Sequence, residues 1–168
     1  RAAKKIKQDN ELTLPENFDG SFQHYRVVKP TKQTLENIED FDPSSTDLFT
    51  NMVDSFSSSE LNVDGNATGE QTILTTWLAQ DGYSFEANME TFYFGEYKAH
   101  IVENNRLYLI NEGWNQDDTK ELLNQVGTHQ LDLQSVVVFG YSFNIAELRE
   151  LEIGLKQLDS HVNLIRRY

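Results

Sequence analysis

The chain has 168 residues, 38% hydrophobic and 11% aromatic, enough apolar material to fill one core and to exclude global disorder. It has no cysteine, which excludes disulfides, thiolate catalysis and cysteine-based zinc sites together. A net charge of −13 argues against a broad nonspecific DNA-binding face and fits a solvated, soluble surface.

Residues 1–9 read as the last turns of a basic helix, with Arg1, Lys4, Lys5 and Lys7 beside a small apolar side of Ala2, Ala3 and Ile6. No apolar stretch follows this basic start, so it is not a secretory signal, and no run approaches the roughly 20 residues that cross a bilayer. A cytoplasmic location without membrane contact is expected. An opening Arg rather than Met is expected of a piece excised from a longer protein.

Ser21–Lys29, bounded by Gly20 and Pro30, reads as a strand centred on Val27 and Val28. Thr34–Phe41 forms a short acidic helix or turn. Asp42-Pro43-Ser44-Ser45 signals helix entry, and Leu48, Phe49, Met52, Val53 and Phe56 follow at helical spacing. Asp54–Thr68, with Ser55, Ser57, Ser58, Ser59 and Gly65, reads as a mobile connection. The expected organisation is an N-terminal arm over 1–54, a linker over 55–67 and a C-terminal α+β domain over 68–168.

From Thr68 the patterning is strong. Thr68 and Gln71 form a capping box, Ile73, Leu74, Trp77 and Leu78 form one helical stripe, and Gly82 ends the helix. Phe85, Ala87 and Met89 alternate with polar residues, which predicts a strand burying those three. Phe94-Gly95-Glu96 turns. Tyr97–Val102 and Arg106–Ile110 are two more strands, joined at Asn104-Asn105, where positive φ is tolerated.

Asn115 caps a helix with Asp117 and Asp118 in its first turn, Leu122, Leu123 and Val126 facing inward, and Gly127 as its stop. Ser135–Gly140 is an all-apolar strand of the doubly buried kind. Asn144 and Glu147 cap a helix carrying Ile145, Leu148, Leu151, Leu155 and Leu158, and Val162–Ile165 closes the chain as a strand. The order α-β-β-β-α-β-α-β predicts an α+β fold. Its mixed sheet has antiparallel hairpin strands, a C-terminal parallel βαβ unit and helices packed on it.

Tests for chemistry return structural readings. Phe139-Gly140 lacks the glycine repeat and partner acid of a dinucleotide site. Gly140-Tyr-Ser142-Phe-Asn144 breaks the nucleophile-elbow pattern at its last position, and Ser142 or Asn144 reads as a helix cap. His24, His100, His129 and His161 show no metal-ligand spacing. Glu36, Glu39, Asp40 and Asp42 read as a solvated acidic turn ahead of a Mg²⁺ or acid–base pair. Trp114, Tyr93, Tyr97 and Tyr108 read as core ahead of a binding surface. Arg166 and Arg167, next to the terminal Tyr168, read as pairing within the acidic domain ahead of phosphate contact. Asn66-Ala-Thr68 matches a glycosylation triplet by chance. No catalytic, cofactor-binding or metal residue is assigned.

Three segments resemble the C-terminal region of type III restriction–modification methyltransferase (Mod) subunits. The first is the basic start Arg1–Asn10 with Gly20-Ser-Phe-Gln-His-Tyr-Arg-Val-Val-Lys29. The second is Leu74-Thr-Thr-Trp-Leu-Ala-Gln-Asp-Gly82 with the hairpin through Leu107–Ile110. The third is Val136-Val-Val-Phe-Gly140 with Asn163-Leu-Ile-Arg-Arg-Tyr168. The resemblance implies a parent that moves a methyl group from S-adenosylmethionine to adenine N6 in a DNA site. The adenine-holding Asp/Asn-Pro-Pro-Tyr motif and the cofactor-holding Phe-x-Gly-x-Gly motif are both missing here and are expected upstream of Arg1. The implied role is noncatalytic. The region would assemble the modification subunit with a restriction subunit or a second modification subunit, DNA being contacted by the parent. The alternatives are a free-standing protein-binding module of a bacterial defence or regulatory system, and a small enzyme using the acidic cluster Glu36, Glu39, Asp40 and Asp42 with His24 or His129.

Overall fold

The structure, a computed structural model, describes residues 51–84 and 86–168 together with Lys5, Tyr25, Val27, Lys29, Thr31, Lys32 and Glu36. Apart from those isolated positions, the elements expected over residues 1–50 lie outside the described residues. Among the isolated positions, Lys32 pairs with Glu36 at 2.9 Å, one helical turn apart.

Helix α1 (Gly69–Gln80) starts where its capping box places it. Gln71 N–H donates to Thr68 Oγ1 at 3.2 Å, and Thr68 N–H donates to the Gln71 side chain at 3.0 Å. It ends at Gly82, whose φ of +79° lets Tyr83 N–H return to Leu78 O and Gly82 N–H to Ala79 O.

Strand β1 (Met89–Phe94) turns through Gly95-Glu96 into β2 (Tyr97–Val102), which turns into β3 (Arg106–Leu109). Helix α2 (Gln116–Gly127), strand β4 (Ser135–Phe139), helix α3 (Ile145–Lys156) and strand β5 (Asn163–Arg167) complete the chain. The sheet order is β1-β2-β3-β4-β5, antiparallel across the first two pairings and parallel across the last two. This is the mixed α+β sheet that the element order predicts, with one addition. Besides β4-α3-β5, β3-α2-β4 is a second parallel βαβ unit.

Two successive crossovers moving in one direction put their helices on one face when they share a hand. Accordingly Leu122, Val126, Leu148, Leu151 and Leu155 pack with Ala99, Ile101, Leu107, Leu109, Val136 and Val138 in one core cluster. The opposite face carries α1. There Ile73, Leu74, Trp77 and Leu78 pack with Tyr108, Ile110, Val137 and Phe139. Alternation along β3 and β4 sends neighbours to opposite faces, which is why both strands read as continuous apolar runs.

Four local expectations shift. The first strand lies at 89–94 rather than around 85–89, and its inward residues are the buried Phe94 and the half-buried Phe92, with Met89 47% exposed. The two-residue loop pairs Phe94 with Tyr97 and Phe92 with Ala99, so the register of β2 chooses which face of β1 is buried. The β2–β3 turn takes positive φ at Glu103 and Asn104, one residue earlier than expected. Gly127 is the last helical residue of α2, and His129, at φ +57°, supplies the left-handed cap. Asn51–Phe56 forms turns and a single 3₁₀ turn at Asp54–Phe56, where helical spacing predicts an α-helix; Met52 and Val53 are nevertheless buried against α1.

The serine-rich segment after it carries anchors that its composition hides. Ser55, Ser58 and Leu61 are buried, and Ser58 exchanges hydrogen bonds with Ala67 at 2.9 and 3.1 Å.

Candidate functional site

Two carboxylates on α1 collect the charged side chains of the sheet face beneath it. Glu70, in the first turn, accepts from His100 Nε2 at 2.6 Å, Lys98 Nζ at 2.9 Å and Asn111 Nδ2 at 3.0 Å. Asp81, just past the last turn, accepts from the Tyr108 hydroxyl at 2.6 Å, from Arg106 Nη1 at 3.0 Å and from Arg167 Nη2. Helix α1 therefore crosses the sheet with one acid clamp at each end. Glu70 holds β2 and the segment after β3, while Asp81 holds β3 and β5.

The cations are further fixed by their neighbours. Arg106 Nε donates to Ser135 Oγ at 2.8 Å on β4, and its guanidinium lies 5.6 Å from the Tyr83 ring centre. Arg167 lies 5.3 Å from the Trp77 ring centre. His100 Nδ1 and Arg167 Nη1 are buried without a hydrogen-bond partner among the described residues.

Burial by itself raises the pKa of both acids, but their donors outweigh it. Hydrogen bonds from His100 and Lys98, the His100 charge and the Asn111 amide bring Glu70 from 4.5 down to about 2. Hydrogen bonds from Arg167 and Tyr108 and the two guanidinium charges hold Asp81 below its ordinary value. Burial and then the Asp81 carboxylate push Tyr108 up. Burial and then the charges of Glu70 and Asp118 push up Tyr97, whose hydroxyl donates to Asn111 O at 2.8 Å. Each carboxylate thus accepts three hydrogen bonds or ion pairs from side chains of the sheet face. Such an arrangement locks a helix to a sheet.

The residues singled out by sequence scatter over the fold. His100 is buried in β2, whereas His129 and His161 are exposed at positive φ. Ser142 lies buried in a 3₁₀ turn, unlike the exposed serine of a nucleophile elbow, and Asn144 caps α3 by accepting from Glu147 N–H at 2.9 Å. Trp114, Tyr97 and Tyr108 are core residues; Trp114 donates to Thr119 Oγ1 at 2.8 Å, and Tyr93 is exposed. Arg166 pairs with Glu152 and Arg167 with Asp81, the intradomain pairing expected of this basic end. Glu39, Asp40, Asp42 and His24 lie outside the described residues.

Sequence reasoning missed the two clamps. The signal was present: His100, Arg106 and Arg167 are charged or titratable positions inside otherwise apolar strands. Such residues are rarely buried unless a counter-charge meets them. Which acids answer them depends on how α1 lies.

Residues 68–164 match the family described as the Type III R-M EcoP15I C-terminal domain. The chain belongs to this family. It is a C-terminal Mod domain, as the resemblance in its helix, hairpin and terminal βαβ unit implied. Along its whole length it is similar to the type III restriction-modification enzyme StyLTI Mod subunit of Salmonella typhimurium, at 46% identity over 182 aligned residues. Over 51% of its length it is similar to the EcoP15I Mod subunit of Escherichia coli, at 36% identity over 86 residues. The match spans 28% of the first relative and 13% of the second. Among the described residues of this Mod domain, no helix is long and apolar enough to cross a membrane.

Proposed function

We propose that this Mod C-terminal domain is a noncatalytic assembly platform. The parent is read as a site-specific DNA adenine-N6 methyltransferase of a type III restriction–modification system. In this reading the parent binds S-adenosylmethionine and DNA upstream of Arg1. The domain joins the modification subunit to a restriction subunit or to a second modification subunit, in the cytoplasm.

The observation that supports this is the saturation of Glu70 and Asp81. Both carboxylates hold α1 on the sheet, which makes a rigid scaffold. A full-length modification subunit lacking residues 68–168 tests it. Co-elution with the purified restriction subunit and self-association are measured by size-exclusion chromatography, and the 168-residue chain is titrated with S-adenosylmethionine by calorimetry. The expected result is lost assembly and no cofactor heat. Unchanged assembly of the truncated protein would refute the platform role, and micromolar cofactor binding would refute the noncatalytic one.

A further inference from the structure

Among the described residues, strand β1 ends the sheet with its outer edge open. The parity of its ladder is fixed. The two-residue loop makes Phe94 and Tyr97 a hydrogen-bonded pair, and Glu103 N–H donates to Asn88 O at 2.9 Å at the far end. Glu90, Phe92 and Phe94 therefore point their backbone groups at β2. Met89, Thr91 and Tyr93 point theirs outward. The side chains of the same three residues lie on the α1 face but beyond the reach of α1, with Met89 47% and Tyr93 58% exposed.

The opposite edge is defended and this one is not. On β5, Arg166 and Arg167 are held by Glu152 and Asp81. Inward-tied charges of that kind blunt an edge against strand pairing. Strand β1 has no proline and no basic residue, and it presents a methionine and a tyrosine.

The charge around the open edge selects what can pair there. Glu90 on the strand, Glu96 in the hairpin loop and Glu86 and Glu103 at the far end are all exposed. Lys98, opposite Tyr93 on β2, is already paired with Glu70 at 2.9 Å. A second copy would bring its own acidic rim against this one and be repelled.

We propose that β1 receives an extended, Lys/Arg-bearing segment of a different subunit as a sixth strand. This rests on the assembly reading and names its surface. Main-chain hydrogen bonds to Met89, Thr91 and Tyr93 hold the added strand, and the glutamate rim chooses a basic one.

The test uses the full-length modification subunit with the purified restriction subunit as probe. Thr91→Pro removes an outward amide and leaves the β1–β2 ladder intact, the position at which an edge strand tolerates proline. The pair Glu90→Lys and Glu96→Lys reverses the rim without touching the backbone. Each variant is expected to weaken association by about tenfold or more, the scale of one lost main-chain hydrogen bond or a reversed charge pair. In quenched hydrogen exchange, the Thr91 and Tyr93 amides should slow by about tenfold on complex formation. The Phe92 and Phe94 amides, already paired with β2, should not change.

Should Thr91→Pro fail to fold by circular dichroism, the charge reversal and the exchange pattern decide. Undiminished association of a folded charge-reversal protein, with fast Thr91 and Tyr93 amides in the complex, overturns the inference while the truncation result leaves the assembly role standing. Slow Thr91 and Tyr93 amides in the modification subunit alone would assign the edge to a second copy and overturn it equally. Loss of the assembly role itself would be read only from the protein lacking residues 68–168.

Discussion

Removing the Glu70 carboxylate should loosen α1 from the sheet, with a pH signature that isolates the cause. Glu70 accepts three hydrogen bonds, its side chain is 16% exposed, and its pKa is depressed from 4.5 to about 2. That depression corresponds to about 3 kcal/mol if the site were fully shielded. Lys98 is 40% exposed, so solvent screening reduces the electrostatic part to about 1–2 kcal/mol. Glu70→Gln, which keeps the shape, should lose about that much. Glu70→Ala also strands the buried His100 and the Asn111 amide, and should lose about 2–3 kcal/mol, or about 5–10 °C in Tm. An acid whose folded pKa is lowered stabilises the fold above its unfolded pKa and loses that contribution as pH falls toward the folded one. The difference between wild type and Glu70→Gln, measured by urea unfolding, should therefore be constant near neutral pH and shrink between pH 4.5 and about 2. A difference that persists undiminished down to about pH 2.5, or an alanine variant within about 0.5 kcal/mol of wild type near neutral pH, would refute the clamp.

Two backbone predictions oppose local rules to tertiary ones. Gly69→Ala ought to help a helix by up to about 1 kcal/mol on propensity. Here a Cβ would lie 1.7 Å from the Val53 carbonyl oxygen, so a loss of about 2 kcal/mol or more is expected in urea unfolding. His129→Gly should raise stability by about 0.5–1 kcal/mol, read as a higher Tm, because His129 holds φ +57° at the α2 cap and its side chain is exposed.

The caps of α1, α2 and α3 and most of their stripes were legible because they are local, with Ile145 of the α3 stripe exposed instead. A Thr, Asn or Gln side chain reaches only three residues, so Thr68-Gln71, Asn115-Asp118 and Asn144-Glu147 carry their geometry in their spacing. The apolar runs of β3 and β4 likewise announced strands buried on both faces. What stayed illegible depends on partners far away in the chain. Which residues of β1 face the core follows from the register of β2. Anchors such as Ser58 are hidden in a serine-rich composition until Ala67 meets them. The candidate site is the extreme case, because Asp81 and Arg167 are 86 residues apart. The starts of α1, α2 and α3 and the family resemblance are both written in short runs of neighbouring residues, which is why they could be read before the fold. Which acid answers which base, and which sheet edge is open among the described residues, emerges only in the folded chain, because a carboxylate's partners and an edge's exposure are set by the docking of whole elements.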